Sequence, residues 1–158
     1  MVKKFILACA AVAVMAGLTG CSKKTVPTTQ AYRSYETECI SKDASGSITL
    51  RVWGEGSDAK DARQNAAKKA VEEVTFTNLK GNRANVLAII PGPTVRARHR
   101  EYFNKFFKDG GKYKKYVEAE KPEKEAVLNG NQRVVVPVIV TVDREGLITL
   151  FKKDNVLE

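Results

Sequence analysis

Alternating hydrophobic and polar residues predict a β-hairpin where the polar part of the chain begins. Residues 47–53 place an aliphatic side chain at every second position, which is the pattern of a strand with one buried face. Residues 37–41 form a second β-prone run, and the turn formers of residues 43–46 separate the two. We therefore expect two adjacent strands whose aliphatic residues share one side of a sheet.

The next segment has the periodicity of an amphipathic helix. Ser57 or Asp58 is the expected N-cap, and Asp61 in the first turn would complement the helix dipole. Small apolar residues recur at helical spacing to about residue 74 and form one stripe: Ala59, Ala62, Ala66, Ala67, Ala70, Val71 and Val74. A stripe made mostly of alanine predicts a helix that lies close to a sheet.

The middle of the chain predicts one further strand and a second helix. Residues 86–90 are β-prone and are stopped by the Pro-Gly-Pro sequence at 91–93. Residues 95–108 have helical character and end before Gly110 and Gly111. We expect four aromatic residues of this helix to supply much of the core: Tyr102, Phe103, Phe106 and Phe107.

The carboxyl-terminal part predicts a longer hairpin and a closing helix. Residues 113–119 and 133–142 are β-prone and flank a charged turn at 120–132. Because proline cannot donate a backbone hydrogen bond, Pro137 predicts that the second strand lies at a sheet edge or carries a bulge. Residues 144–152 predict a short helix.

These elements together predict an α+β fold. We expect a small antiparallel or mixed sheet of about four to five strands, packed by two main helices plus a short C-terminal helix. Residues 35–158 are enough for one such domain and too few for two.

The start of the chain predicts a cleaved secretory signal at residues 1–20. Lys3 and Lys4 precede an apolar core at residues 5–18, and small residues follow. That core is shorter than the ~20 apolar residues that a membrane-spanning helix requires. Residues 21–34 are polar and without periodicity, which predicts a flexible tether.

Leu18, Thr19, Gly20 and Cys21 resemble the lipobox of bacterial lipoproteins. The resemblance implies cleavage before Cys21, which would then carry a diacylglyceryl thioether and an amide-linked acyl chain. Such acylation is an effectively permanent membrane anchor. Ser22 after the cysteine implies an outer-membrane location, and the basic residues that follow it imply a periplasm-facing orientation. The alternative is an ordinary secreted protein with an adventitious cysteine.

Charge and cysteine count restrict the chemistry of the mature chain. The formal net charge is +9, and loss of Lys3 and Lys4 would lower it to +7. Cys9 would leave with the signal and Cys21 would be acylated, so Cys39 has no partner for an intramolecular disulfide. We expect Cys39 to be buried and inert; the alternative is a bond to a second chain.

Arg96, Arg98 and Arg100 are candidate contacts for an anionic surface. They begin a stretch in which lysines alternate with aromatic residues up to Lys115. Basic and aromatic residues together are typical of nucleic-acid binding, but a periplasmic location argues against a nucleic-acid partner. The alternative is a solvated basic face over an aromatic core.

No catalytic, cofactor or metal motif is complete. Gly54-x-Gly56-x-x-Ala59 matches the dinucleotide-binding fingerprint locally, but the acidic residues beside it and the missing second βαβ unit argue against a cofactor. We interpret it as a strand-to-helix turn in which glycine provides φ freedom. His99 is the only histidine, and no acidic cluster with ligand spacing accompanies it, so we expect no metal site and no enzymatic activity.

Trp53, Tyr113 and Tyr116 are the aromatic residues most able to stack on a sugar. They support an alternative function, a small-ligand or glycan-binding module or a hydrolase whose site assembles only in space.

Residues 48–76 resemble a strand, Gly-x-Gly turn and alanine-rich helix of small bacterial outer-membrane lipoproteins related to the amino-terminal domain of the flagellar assembly protein FlgT. Most of the chain, including residues 102–111, is similar to uncharacterised lipoproteins of Bacteroidales. The first resemblance implies an α+β module that packs against copies of itself or other envelope proteins. Our hypothesis is a non-enzymatic envelope lipoprotein that binds or assembles with other cell-envelope components.

Overall fold

An antiparallel sheet forms one side of the fold in the computed structural model, which describes residues 36–81, 85–120, 126–128 and 133–157. Its strands are β1 (Glu38–Lys42), β2 (Ile48–Gly56), β3 (Val117–Ala119), β4 (Ala126–Leu128) and β5 (Arg133–Val142). The order across the sheet is β1–β2–β5–β3, and β4 also pairs with β5. Every pairing is antiparallel, and β1 and β2 form the predicted hairpin.

Helices complete the α+β fold that the sequence predicts. They are α1 (Ala59–Phe76), α2 (Pro93–Arg98), α3 (Arg100–Phe106) and α4 (Arg144–Lys153), with a 3-10 helix at Lys112–Tyr116. Helix α1 packs along β2 and β5 through the predicted stripe, of which Ala62, Ala66 and Ala70 are fully buried. Among the described residues, no helix combines the length and the hydrophobicity needed to cross a bilayer.

Gly54 and Gly56 allow α1 to approach the sheet closely. A Cβ atom on Gly54 would lie 2.8 Å from the Cβ of Ala66 and closer still to the backbone carbonyl of Ala62. Neither glycine has a positive φ. The prediction that glycine provides φ freedom at this turn was therefore wrong at both positions. The physical reason for glycine here is steric, because any side chain would push the helix off the strand.

Asp58 is the N-cap of α1. Its carboxylate accepts a hydrogen bond from the Asp61 backbone N–H at 2.7 Å, and the Asp61 carboxylate accepts one from the Ser57 backbone N–H at 2.9 Å. Asp58 therefore satisfies a donor that the first helical turn leaves without a partner, and Asp61 binds the residue before the cap.

Residues 86–90 do not form the predicted strand. Val86 makes only an isolated bridge to Leu79. The backbone N–H groups of Ile89 and Ile90 instead donate to the carbonyls of Val74 and Thr75. The segment is bent because these last carbonyls of α1 need donors from outside the helix.

The predicted helix at residues 95–108 is two helices separated at His99, whose φ is −106° and ψ is 31°. Helix α2 buries no residue, whereas α3 buries Phe103 and Phe106. The two helices differ in burial because only the second half of the segment has an apolar face to place on the core.

Pro137 was expected at a sheet edge or at a bulge, but it lies in a central strand whose register with β2 is continuous, so both expectations were wrong. Strand β5 pairs with β2 on one side and with β3 and β4 on the other. Ile139 and Asp143 lie an even number of residues after Pro137, so their backbone groups point to the same side of β5 as those of Pro137. Both residues form backbone hydrogen bonds with residues on the β3 side. The nitrogen of Pro137, which carries no hydrogen, therefore faces away from β2. It lies between the residues of β5 that pair with β3 and those that pair with β4, so no hydrogen bond to β2 is lost.

One hydrophobic core joins the sheet to the helices. Its aromatic part, which matches the set expected from residues 102–107, lies between α1, α3 and α4, where Phe106 contacts Phe151 with ring centroids 5.6 Å apart. Cys39 is 2% exposed in this core, as expected, and burial raises the pKa of its thiol.

Candidate functional site

A groove of about 320 Å³ runs between α1 and the segment formed by α2 and α3. We call it the basic groove and define it by the residues that line it: Lys68, Glu72, Arg96, Arg100, Phe103, Asn104, Phe107 and Lys108. Its volume is at the lower end of the range that small-molecule sites occupy.

Helical spacing places these residues on the groove. Arg96 in α2 and Arg100 and Asn104 in α3 follow one another at intervals of four residues, which is the spacing of one helical face. Lys108, two residues beyond the end of α3, continues this spacing and also lines the groove. Lys68 and Glu72 are related in the same way on α1 and form the opposite wall. Arg98 is offset from the first series by two residues and does not line the groove.

Aromatic rings support the groove from below. Phe103 and Phe107 are 4% and 6% exposed, and Phe76 packs edge-on against Phe103 with centroids 5.0 Å apart. The guanidinium carbon of Arg96 lies 4.4 Å from the centre of the Phe76 ring. This cation–π contact fixes Arg96 at the rim without neutralising its charge.

The four cations of the basic groove have no ion-pair partner among the described residues. The ion pairs within that part of the chain involve other bases, namely Arg51, Lys69, Arg133 and Arg144. Glu72 is the one carboxylate lining the groove in the described structure, so four positive charges face a single negative one. An anion is the ligand that this arrangement favours.

Two other concave sites are also lined by basic residues. One of about 290 Å³ includes Lys60, Arg63 and Lys114, but the Arg63 guanidinium donates to the Ala119 carbonyl and is therefore already engaged. The other, of about 380 Å³, is lined by a single continuous stretch at residues 102–112. The basic groove differs from the first because neither of its arginines donates to a backbone carbonyl in the described structure, and from the second because its arginines and lysines come from two separate elements.

The three aromatic residues proposed for stacking do not form one site. Trp53 is half-buried on the sheet face opposite to α1, directly across from Pro137. Tyr113 is 2% exposed, and its ring centroid lies 6.1 Å from that of Phe107. Burial, with Asp109 and Glu72 nearby, raises the pKa of Tyr113, so this phenol belongs to the core. Tyr116 is half-buried and packs against the core on the helix side.

The lipid-attachment motif at Leu18, Thr19, Gly20 and Cys21 lies outside the described residues. Within the part of the chain that is described, no three His, Cys, Asp or Glu side chains are grouped as metal ligands would be. Comparison with known protein families, with curated proteins and with solved structures finds no match to this chain.

Sequence reasoning identified Arg96 and Arg100 but missed Lys68, Glu72, Asn104 and Lys108. The signal for Asn104 and Lys108 was available, since both continue the four-residue spacing from Arg96. Lys68 and Glu72 could not be assigned in the same way, because nothing in the sequence indicates which polar residues of α1 face α3.

Proposed function

We propose that this protein is a non-enzymatic lipoprotein of the bacterial cell envelope whose basic groove binds an anionic envelope component. In this proposal, acylated Cys21 anchors the protein in the outer membrane, and residues 22–34 tether the domain on the periplasmic side. The motif at residues 18–21, with a basic and apolar leader before it, supports the anchor.

The observation that carries the binding proposal is the convergence on one groove of four cations that form no ion pair with any described residue. Lysine and arginine on a solvated face normally spread apart or pair with nearby acids, because like charges repel. Here Lys68 on α1 faces Arg96, Arg100 and Lys108 across a shared depression. An anion bound between them would relieve this repulsion and gain charge-assisted hydrogen bonds.

Sugar stacking receives less support from the arrangement of the aromatic residues. Trp53 is on the opposite face of the sheet from Tyr116, and Tyr113 is buried in the core. A stacking platform needs accessible ring faces in one place, so we do not advance the glycan-binding alternative further.

Membrane fractionation tests the anchor. The wild-type protein is expected in the membrane fraction, and Cys21→Ser is expected to leave it while the domain remains folded. If the processed Cys21→Ser protein still fractionates with membranes, the acyl anchor is wrong.

Photo-crosslinking in intact cells tests the groove. A photo-reactive amino acid at position 104 would lie on the groove, and the same amino acid at the exposed position 152 on α4 is the control site. We expect a specific adduct with an envelope protein, lipid or glycan from position 104 and none from position 152.

Charge variants make this experiment specific. R96Q/R100Q removes two groove charges, and R98Q/K152Q removes two exposed charges outside it. The adduct should disappear in the first variant and persist in the second. An adduct that survives in both, or is lost equally from both, would show that the groove is not the binding site.

A further inference from the structure

We infer that the anion held in the basic groove is a phosphate monoester. This inference rests on the proposed function and adds the chemical class of the ligand. Two kinds of molecule carry this group, a lipid that ends in a phosphate monoester and a soluble phosphate ester. The experiment below distinguishes them.

Charge balance favours a dianion. The groove contributes four positive charges and the single negative charge of Glu72, which leaves an excess of three. A phosphate monoester carries about 1.5 to 2 negative charges near neutral pH, whereas a phosphodiester or a carboxylate carries one. The monoester therefore neutralises more of the excess positive charge than the other two groups do.

The presence of donors on two walls suits a tetrahedral group. Arg96, Arg100 and Lys108 approach from the α2–α3 side, and Lys68 approaches from α1. A phosphate monoester presents three oxygens that diverge from one atom, so both walls can donate to it at once. The planar guanidinium groups of the two arginines are well suited to such contacts, because each can donate two parallel hydrogen bonds to phosphate oxygens.

The remaining features indicate a single phosphate attached to a larger group. Glu72 would repel a second phosphate, which argues against a polyanion. The volume of about 320 Å³ leaves space for the esterified group beside the phosphate. The buried rings of Phe103 and Phe107 exclude water from one side, and a lower local dielectric strengthens the attraction between the ions.

A membrane lipid is within reach of the groove. Residues 22–35 separate the proposed anchor from the described domain, and a fully extended segment of this length spans at most about 50 Å. A lipid-anchored domain on such a tether would meet headgroups of its own membrane at high effective concentration.

The test uses the full chain as processed by cells, purified in a nonionic detergent. Methyl phosphate, dimethyl phosphate and acetate are compared at constant ionic strength, by calorimetric titration and by the shift in Tm. We expect methyl phosphate to bind at least about tenfold more tightly than either monoanion and to raise Tm, because a ligand of the native state stabilises it.

Groove variants show where the ligand binds. R96Q/R100Q should weaken methyl phosphate binding by at least about tenfold, whereas R98Q/K152Q should change it by less than about twofold. K68Q/K108Q removes charge from both walls and keeps the contact between Arg96 and Phe76, so it covers the case in which R96Q/R100Q fails to fold. Equal affinity for all three anions, or equal loss in the groove and control variants, would overturn the inference.

Mixed micelles distinguish the two sources. Phosphatidic acid ends in a phosphate monoester, and phosphatidylglycerol is an anionic phosphodiester. A groove-dependent rise in Tm with phosphatidic acid but not with phosphatidylglycerol supports a lipid ligand, and a response to methyl phosphate alone supports a soluble ester. If methyl phosphate and phosphatidic acid both fail while the crosslink from position 104 still depends on the groove, the phosphate inference is wrong and the proposed function stands. If the crosslink also fails, both are wrong.

Discussion

Gly54 shows how one residue sets the distance between a helix and a sheet. An added Cβ atom would overlap the Ala62 carbonyl and crowd the Ala66 side chain, and both groups belong to the rigid backbone face of α1. We expect Gly54→Ala to lower the free energy of unfolding by about 3 kcal/mol, because relief requires the whole helix to move. Urea denaturation followed by circular dichroism measures this change.

Gly110→Ala is the matched control for that substitution. Gly110 has a φ of 73°, but no atom lies within 4 Å of the position its Cβ would take. The cost should be limited to the left-handed backbone, about 1 kcal/mol. An equal cost at Gly54 and Gly110 would contradict the steric explanation.

Lys68 and Lys69 are neighbours on α1 with opposite electrostatic surroundings. Lys68 faces the three other cations of the basic groove, which outnumber the one carboxylate there, Glu72, whereas Lys69 lies 3.8 Å from the Glu73 carboxylate. At low salt we expect Lys68→Gln to raise the free energy of unfolding by a few tenths of a kcal/mol, since it removes repulsion. Lys69→Gln should lower it by a similar amount.

Salt provides the check on this pair of variants. Both effects should shrink at high ionic strength, where exposed charges are screened. If Lys68→Gln destabilises the protein at low salt, the cations of the groove do not repel one another as proposed.

Helix α1 depends on a short polar motif at its start. The Asp58 carboxylate accepts a hydrogen bond from the Asp61 backbone N–H, and the Asp61 carboxylate accepts one from the Ser57 backbone N–H. Asp58→Ala should lower the free energy of unfolding by about 1 kcal/mol, because one donor of the first turn loses its acceptor. Asp58→Asn keeps an acceptor while removing the charge, so it should remain close to wild type. Chemical denaturation of both variants decides this, and equal losses would indicate a charge effect instead of a capping bond.

Elements whose own hydrophobic pattern indicates their buried face were predicted from the sequence. Elements whose conformation depends on tertiary contacts were not. The alternation in β2 and the alanine stripe of α1 gave correct elements because each pattern reports its own buried face. The segment at 86–90 looks like a strand, but its N–H groups are taken by the end of α1. Pro137 could not be placed in a central strand, since its neighbours on the far side come from distant parts of the chain.

One wall of the basic groove could be predicted from the sequence, and the other could not. Its α2–α3 wall has a sequence signal in the spacing of Arg96, Arg100, Asn104 and Lys108. Its α1 wall exists only because the core places Phe76 against Phe103 and Phe107. Which side of α1 meets α3 is a property of packing, and no local pattern encodes it.

At the scale of the whole domain, burial makes the side chains of Cys39, Tyr102 and Tyr113 harder to ionise in the folded state. Burial raises the pKa of Cys39 from its ordinary 9.0. Burial also raises the pKa of Tyr113 and of Tyr102 from their ordinary 10.0. The Tyr102 hydroxyl donates a hydrogen bond to the Asp154 carboxylate at an oxygen–oxygen distance of 2.8 Å, which raises the pKa of Tyr102 further. These groups lie in different parts of one core, so their effects on stability add in the cooperative unfolding of the domain.

The sign of the resulting pH dependence follows from proton counting. Above pH 9 the unfolded chain loses protons that the folded protein keeps, so the free energy of unfolding falls as pH rises. We expect stability to be insensitive to these groups below about pH 8 and to fall between pH 9 and 11, by at most about 1.4 kcal/mol per pH unit for each group. Urea denaturation at fixed pH values, in reducing agent, measures the curve. Cys39→Ala should flatten it between pH 9 and 10, whereas Tyr102→Phe should act only above pH 10. A stability curve that stays flat to pH 11, or that has the same slope in Cys39→Ala as in wild type, would show that these buried groups do not control the alkaline transition.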